Sequence, residues 1–400
     1  MNQDGNKAVA LTFEMLHQAM TGNAAAIRCR STLQPAAGEG TKVFPPTHAN
    51  GVYATEKRRL PNVKDPVDCV LLDSVQSQAN RMEEALQDAV DRGLFEPVGL
   101  PVIEVNFGDS IADVRRVTSL QAPHRIADAI LRDSLLNGKP FRDSEEGKRV
   151  TDSSLANATA LFELCPTALV MGVWDSTGPK GGLGAKFARA IVSEIVGIDA
   201  VVGTRTSSRI DPLQVRAGVK VIKEKSGGWT IAKDDKAKGA VSPSEINHGN
   251  IPPDVAVGGV TIASAEHTAV VSLPQLRRLR FPIKGKTDPR VDDAARTVLA
   301  SLALVGLTLA AERGFDLRSR CLLFPNAALQ FELLEIPGKP SAFTLSSTEA
   351  IAIFKQAVTA ATKLGLPWQK KLDLVPSPQL IELVKRSQAM AATSTDGGEK

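Results

Sequence analysis

Hydrophobic and polar positions along the chain follow two periods, which predict strands interleaved with helices. Ala25–Leu33 alternates apolar and polar residues, which is the pattern of a half-buried strand. Ser74–Val90 repeats apolar residues every three to four positions and Gly93 follows its end, so we predict a helix there. A second helix is predicted over Ser154–Cys165, where Pro166 stops it.

The next segments predict a strand, a helix and another strand. Residues 167–175, TALVMGVWD, form a continuous apolar run of strand length, which favours a strand covered on both faces. Ala185–Val196 is predicted as a helix that follows a glycine-rich turn. His267–Leu273 is predicted as a strand.

The longest predicted helix starts beside Asp288, which can cap it, and Pro289, which suits its first position. It runs to about Glu312 and ends at Gly314, and a strand, CLLFP, follows. Its apolar run, residues 297–311, is fifteen residues long, which is short for a bilayer span. The first residues also lack the pattern of a signal peptide. We therefore expect a cytoplasmic protein without membrane association.

This order of elements predicts an α+β protein in which a ferredoxin-like sheet, backed by helices, carries large insertions. Residues 1–391 are interpreted as a single subunit. Within it, residues 223–253 are rich in Gly, Lys, Asp and Ser, and we expect them to form an exposed insertion. Residues 392–400 have the composition of a disordered tail.

Composition narrows the classes of function. The net charge of +4 comes from 48 basic and 44 acidic residues, so a nucleic-acid site has to come from local clusters of charge. Aromatic residues make up only 4% of the chain, which argues against a surface that holds many bases by stacking. The four cysteines lie far apart and form no zinc motif, so we expect buried free thiols in a reducing compartment.

Residues 176–190, STGPKGGLGAKFARA, suggest a phosphate site without matching a nucleotide motif. A Walker A loop does not fit, because Leu183 stands five positions after Gly178. A dinucleotide loop does not fit either, because Phe187 occupies its third glycine position. A second Gly-Lys-Thr, residues 285–287, has Arg280 in place of the first glycine. Two interpretations stay open: a tight turn with solvated lysines, or an anion site made by the turn, a helix N-terminus and Lys180, Lys186 and Arg189.

Two further basic clusters favour the binding of a sugar-phosphate chain. Arg205 and Arg209 lie among hydroxyl residues in GTRTSSR, and residues 277–286 hold five Lys or Arg without an acid. Ser, Thr, Arg and glycine turns together provide the groups that hold phosphates independently of base sequence. The alternative is that each cluster is a solvated face.

Local signatures of hydrolase chemistry do not occur in the sequence. The five histidines form no H-E-x-x-H motif, and there is no G-x-S-x-G. His124 and Arg125 are candidates for RNA contact or for a helix cap. Asp73 and Asp175 are candidate metal ligands, although helix capping or a turn is the favoured interpretation for each.

Five blocks of the sequence resemble a known family. They are VFPPTH, VLLDSVQSQANRMEEAL, APHRIADAILRDS, NATALFELCPTALVMGVWDSTGPKGGLGAKFARAIVSEIVG and TSSRIDPL, and they run from Val43 to Leu213. Together they resemble the CRISPR-associated RAMP-superfamily protein that is the Cas-seven-type backbone subunit of the type I-G (formerly I-U) Cascade interference complex.

The resemblance implies a modified RNA-recognition fold with palm, thumb and finger-like insertions. Copies of such a subunit polymerise along the spacer of a CRISPR RNA and present the guide for pairing with a target DNA strand. The implied partners are a large subunit, a guide-processing endoribonuclease subunit and a recruited helicase-nuclease. The backbone subunit itself has no catalytic duty, no metal and no cofactor in this interpretation.

The resemblance also implies contacts with guide phosphates and 2′-hydroxyls. A metal-dependent endoribonuclease that uses Asp73 or Asp175 stays open as an alternative function, and a phosphate-binding metabolic enzyme is a third. The expected RNA contacts are Gln76, Gln78, Asn80, Arg81, His124, Arg125, Lys180, Gly181, Gly182, Lys186, Arg189, Arg205 and Arg209.

Overall fold

A computed structural model describes residues 9–111, 114–176, 185–224 and 227–393, and it confirms the α+β class. The helices are α1 (Phe13–Thr21), α2 (Val75–Asp91), α3 (Ala129–Arg132), α4 (Glu145–Thr151), α5 (Thr159–Leu164), α6 (Pro166–Met171), α7 (Leu273–Arg277), α8 (Pro289–Glu312), α9 (Ser347–Lys363) and α10 (Pro378–Thr393). The strands are β1 (Val9–Ala10), β2 (Ala26–Pro35), β3 (Thr55–Arg58), β4 (Val67–Asp73), β5 (Val102–Asn106), β6 (Arg116–Thr118), β7 (Ser134–Leu136), β8 (Lys139–Pro140), β9 (Val173–Trp174), β10 (Lys186–Phe187), β11 (Ile191–Ile198), β12 (Val201–Arg209), β13 (Val221–Lys223), β14 (Trp229–Ile231), β15 (Ala240–Val241), β16 (Ile251–Thr261), β17 (Ser264–Ser272), β18 (Phe315–Arg318), β19 (Cys321–Pro325), β20 (Gln330–Leu334), β21 (Ser341–Thr344) and β22 (Lys371–Pro376).

The largest sheet forms the centre of the fold. Its strand order is β1-β21-β20-β2-β17-β11-β4-β3, and β19 pairs with the far end of β2 and with β18. The four central strands, β20, β2, β17 and β11, are each antiparallel to their neighbours. Along the chain, α2 lies between β2 and β11, and α8 lies between β17 and β20. These two helices pack against each other and against β11 and β17, so they cover one face of the sheet.

The alternation predicted for the central strands is present in the structure. In β17 the odd-numbered residues from Ala265 to Val271 are buried, and in β2 the odd-numbered residues from Ile27 to Pro35 are buried. Successive side chains of a strand point to opposite faces, so these residues face the helices. The even-numbered residues of both strands therefore lie on the face opposite α2 and α8.

Helix α8 is the core helix, and its start and end follow the sequence prediction. The Asp288 side chain accepts a hydrogen bond from the Arg290 amide, Pro289 occupies the first turn, and Gly314 lies just beyond the end with φ of 91°. The helix has 24 residues and is long and apolar enough to cross a membrane, so the exclusion based on a fifteen-residue run does not hold. However, 83% of its apolar 18-residue stretch is buried inside the protein. There the helix packs on α1, α2, α6 and α9.

Two predictions between residues 167 and 198 are wrong. The predicted strand over residues 167–175 is mostly helix α6, followed by the two-residue strand β9. The predicted helix Ala185–Val196 is instead β10 and most of β11. A short apolar run fits a buried helix and a buried strand equally well. In IVSEIVGI the β-branched residues favour the strand, and the neighbouring strands β4 and β17 complete it.

Other elements agree with the sequence more closely. Ser74 caps α2 by accepting a hydrogen bond from the Ser77 amide, and β2, β17 and β19 lie where strands are predicted. The helix predicted over Ser154–Cys165 is confined to α5. A second sheet, β6-β5-β22-β7-β8, joins the segment after α2 to the strand before α10.

The chain divides into two compact units. Residues up to Ala200 together with Ile262–Ser377 form the first, and Val201–Thr261 together with the residues from Pro378 form the second. The second unit contains the two-stranded ribbon β12–β16 and the small sheet β14-β13-β15. The insertion predicted over residues 223–253 lies within this unit. The interpretation of residues 1–391 as one subunit stays a prediction, and the predicted tail from residue 394 onward lies outside the described residues.

The burial of the four cysteines can be tested by the reactivity of their thiols. All four are buried, and burial raises the pKa of each thiol, that of Cys29 to about 12. Because the thiolate is the reactive form, we expect no reaction of the native protein with Ellman's reagent at pH 8 within minutes. The same protein unfolded in guanidinium is expected to react at all four cysteines. Rapid reaction of even one thiol in the native protein would contradict this burial.

Candidate nucleic-acid interface

The short hairpin β9–β10 carries an exposed aromatic residue and a cation. Trp174 is 53% exposed and pairs across the hairpin with Lys186, whose Nζ lies 5.0 Å from the centre of the indole ring. Gly172 makes the sharp entry into β9, because its φ is 84° and a Cβ there would lie 2.9 Å from Arg189 Cγ. The hairpin thus presents a π face and a positive charge at the two ends of residues 177–184.

An ion pair and a backbone hydrogen bond hold the two ends of residues 175–185. The Asp175 carboxylate is buried, and Arg142 Nη2 donates to both of its oxygens at 3.0 and 3.1 Å. The Asp175 amide donates to the Ala185 carbonyl at 3.0 Å, which closes the hairpin. Asp175 therefore has a structural partner for its charge.

The predicted glycine-block site lies only in part within the described residues. Lys180, Gly181 and Gly182 are outside them, and their RNA contact stays a prediction. The proposed helix N-terminus is wrong, because the segment continues into β10 and β11. Anion binding at this segment therefore does not gain the partial charge of a helix end.

Arg189 and Arg125 direct their guanidinium groups into the protein. Arg189 is half-buried and donates to the Val75 carbonyl at 3.2 Å. Burial, and the nearby charge of Arg125, lower the pKa of Arg189. Arg125 is buried, with φ of 53°, and donates to Glu83 through Nε and Nη2 and to the Gly172 carbonyl through Nη1. This placement favours a structural role for Arg125.

Gln78 and Arg81 face a buried carboxylate. Asp73 is 0% exposed and accepts hydrogen bonds from Gln78 Nε2 at 2.6 Å, Arg81 Nε at 2.9 Å and Arg318 Nη2 at 3.1 Å. Arg81 also donates to the Asp316 and Leu317 carbonyls. Both residues therefore use their donors to hold α2 against the sheet and β18, and the structure adds no support for their predicted contact with RNA.

This network continues across the central strands. Gln78 must turn its NH2 group toward the Asp73 carboxylate, so its oxygen accepts the Ser193 hydroxyl at 3.0 Å. Ser193 Oγ then accepts from His267 Nε2 at 2.9 Å. The neutral imidazole consequently carries its proton on Nε2 and leaves Nδ1 as an acceptor. Ser193, His267 and Arg318 are the residues of this network that the sequence did not single out.

Gln76, Asn80 and His124 are exposed in the structure. Asn80 lines a cleft together with Glu84 and Asp88, and these carboxylates repel a phosphate chain. The His124 amide donates to the Asp128 carboxylate, while Asp128 caps α3. Their RNA contacts stay predictions, and the charge around Asn80 weighs against that one.

Arg205 and Arg209 lie on β12 in the second unit. The side chain of Arg205 covers Gly258, where a Cβ would lie 2.6 Å from its Cγ. Thr204 and Thr206 share the opposite face of the ribbon with Val257 and Val255, which are 70% and 65% exposed. Residues 201–261 contain nine Lys or Arg against six Asp or Glu. Residues 201–261 are therefore basic as a whole, and the ribbon itself carries two arginines with hydroxyl and apolar groups on its surface.

The basic cluster at residues 277–286 is partly structural. Arg277 donates to the Met20 and Ala19 carbonyls at the end of α1, and Arg280 lies 3.4 Å from the Asp292 carboxylate. Lys284 and Lys286 are exposed in a tight turn before α8, with Lys284 at φ of 49°. Only part of this cluster therefore faces solvent.

The buried imidazole predicts a pH dependence of stability. Burial lowers the pKa of His267 from 6.5 to about 4, although the Asp73 charge opposes this. Between these values the unfolded chain binds a proton that the folded chain does not, so stability falls as the pH falls. We expect the free energy of unfolding to drop from pH 6.5 to pH 4 by about 3 kcal/mol more in the wild type than in His267→Phe, measured by urea denaturation. His124→Gln is the exposed control and is expected to follow the wild type. Parallel curves for the wild type and His267→Phe would rule out a neutral buried imidazole.

One comparison with known proteins gives a match. Residues 27–202 match a family model described as CRISPR-associated protein GSU0053 (Cas_GSU0053). This segment is less than half of the chain, and it contains β2, α2, the β9–β10 hairpin and β11. No curated protein gives a significant match. Over this segment the chain is similar to a CRISPR-associated protein family.

Proposed function

We propose that this chain is a guide-RNA-binding backbone subunit of a type I CRISPR effector complex, of the Cas-seven type found in type I-G. The observation that carries the proposal is the CRISPR-associated match over residues 27–202. Copies of the subunit polymerise along the CRISPR RNA spacer and present the guide to a target DNA strand. The large subunit, the guide-processing subunit and the recruited helicase-nuclease are the other proposed partners.

The sheet topology supports an RNA-recognition fold. The sequence order β2, α2, β11, β17, α8, β20 is the β-α-β-β-α-β pattern of ferredoxin-like proteins. Its strands are neighbours in the order β20-β2-β17-β11, and all are antiparallel. In this interpretation β3, β4, the second sheet and the β12–β16 ribbon are insertions into one palm.

The exposed groups support binding of a single strand through its backbone. Trp174 offers a stacking surface, and Lys186 beside it offers a charge for a phosphate. The β12–β16 ribbon is our candidate for the thumb, because it is a long ribbon that carries Arg205, Arg209 and exposed valines. A two-stranded ribbon is only marginally stable alone, so packing within an assembly stabilises it.

The alternative function, a metal-dependent endoribonuclease, is less well supported. Asp73 is held by Gln78, Arg81 and Arg318, and Asp175 is held by Arg142. An arginine-paired carboxylate is a poor metal ligand, because the guanidinium occupies its oxygens. In the part of the chain that the structure describes, no group of three or more His, Cys, Asp or Glu could hold a metal ion.

The hairpin gives the first functional test. Trp174→Ala combined with Lys186→Glu is expected to weaken binding of CRISPR RNA about tenfold or more, because one stacked base and one phosphate contact are lost. The slope of log affinity against log salt is expected to flatten by about 0.7. Fluorescence anisotropy with three guides of unrelated sequence measures both quantities. Lys363→Glu, on the exposed face of α9, is the charge-matched control and leaves binding unchanged. A loss confined to one guide sequence would count against backbone recognition.

A second test separates binding from cleavage. We expect labelled RNA to stay intact when incubated with the protein and Mg²⁺, at the same background as with Asp175→Asn. Gel electrophoresis with and without EDTA measures the products. Site-specific products that disappear both with EDTA and in Asp175→Asn would support the endoribonuclease instead.

A further inference from the structure

The main sheet has a gap on one side of β2. Strand β20 pairs with β2 over residues 26–30, and β19 pairs with it over residues 33–35. Between these two partners, at Ser31 and Thr32, the neighbouring strands diverge. A cleft of about 480 Å³ opens there, which lies in the size range of ligand pockets. It is lined by Arg30, Ser31, Thr32, Glu266, His267, Thr268, Asn326, Ala327, Ala328 and Gln330.

The cleft lies on the face of the sheet opposite α2 and α8. Arg30 pairs across the strands with Thr268 and Gln330, and Thr32 pairs with Glu266, so these side chains share one face. They provide one cation, one carboxylate, two hydroxyls and an amide. The opposite charges of Arg30 and Glu266 make the cleft nearly neutral, which suits a mainly uncharged polar group beside a single phosphate.

An exposed aromatic residue lies on the same face beside the cleft. Phe324 pairs across the strands with Gln34, which shares the even-numbered face of β2 with Thr32. It is 57% exposed and stands two residues before Asn326. An exposed phenyl ring next to amide and hydroxyl groups offers stacking and edge recognition together, which is how proteins hold an unpaired base of RNA.

The residues below the cleft contain unsatisfied polar atoms. Within the described chain, Ser31 Oγ and His267 Nδ1 are buried without a hydrogen-bond partner, and the two residues are directly opposite across the strands. A buried unsatisfied polar atom costs about 1–3 kcal/mol. Both residues are odd-numbered, and His267 bonds through Ser193 toward Gln78 of α2, so their side chains face the helices and not a ligand beside Phe324.

We propose that this cleft is a subsite for one nucleotide of single-stranded RNA. The base stacks on Phe324 and its edge faces Asn326 and Gln330, while the ribose lies toward Thr32 and the phosphate toward Arg30. The proposal rests on the proposed function, because the nucleotide is part of the bound guide. It adds a contact on the sheet that is separate from the β9–β10 hairpin.

Leu322 provides a matched control for Phe324. Both residues are on β19, face the same side, and are similarly exposed, at 50% and 57%. Phe324→Ala is expected to weaken binding of single-stranded RNA about tenfold, because a base loses its stacking partner. Phe324→Tyr is expected to keep the affinity, and Leu322→Ala is expected to leave it unchanged. Fluorescence anisotropy measures the affinities, and circular dichroism shows that each variant is folded.

Photo-crosslinking locates the contact directly. RNA that contains 4-thiouridine is expected to crosslink to the tryptic peptide that begins at Cys321, and this crosslink is expected to disappear in Phe324→Ala. Unchanged RNA binding in Phe324→Ala would overturn the subsite. Equal loss of self-association in Phe324→Ala and Leu322→Ala, with RNA binding intact, would show an apolar protein contact instead. If the Trp174 and Lys186 variant weakens binding while Phe324→Ala does not, only the subsite fails. If the wild type binds no RNA, the proposed function fails as well.

Discussion

The buried carboxylate of Asp73 is the constraint on which the centre of the fold depends. A charge without solvent has to be matched by donors, and removing one partner of such a pair typically costs about 3–5 kcal/mol. Asp73 obtains its donors from Gln78 and Arg81 on α2 and from Arg318 on β18. The Asp73 side chain, at the end of β4, thereby fixes α2 over the sheet and joins it to the strand pair β18–β19. Because Gln78 also orders Ser193 and His267, the same charge sets hydrogen-bond directions across β11 and β17.

The need to match each buried carboxylate with donors also decides which arginines are left to contact the proposed RNA. Arginines that look like phosphate ligands in the sequence are used inside the protein, Arg81 on Asp73 and Arg125 on Glu83. Arg142 is used in the same way on Asp175. What faces outward is a smaller set, and Lys186 beside Trp174 is its clearest member. For the proposed guide binding, such a surface suits recognition of a strand by shape and scattered charge, independently of the spacer sequence.

The sequence predicts the parts of the fold that local signals define. Ser74 marks the start of α2, and Asp288 and Pro289 mark the start of α8, because caps act within a few residues. Between residues 167 and 198 the predicted strand is mostly a helix and the predicted helix is a pair of strands. Only long-range pairing with β4 and β17 distinguishes the two possibilities. The candidate RNA-binding residues are likewise predictable only where local sequence determines them. Lys186 and Arg205 are exposed, as charge clusters suggest, whereas the partners of Arg81 and Arg125 and the Phe324 cleft depend on residues far apart in sequence.

The β12–β16 ribbon is the part of the chain that bears most directly on the proposed assembly. In the described chain its strands pair only with each other, and valines on its surface are more than half exposed. Unpaired strand edges and exposed apolar groups favour association between chains, so a ribbon of this kind is a liability in an isolated monomer. It is an advantage in a filament, where a neighbouring copy or the guide covers it. The exposed valines of the ribbon and the proposed polymerisation along RNA are thus linked by one physical argument, because association buries apolar surface that the single chain leaves exposed.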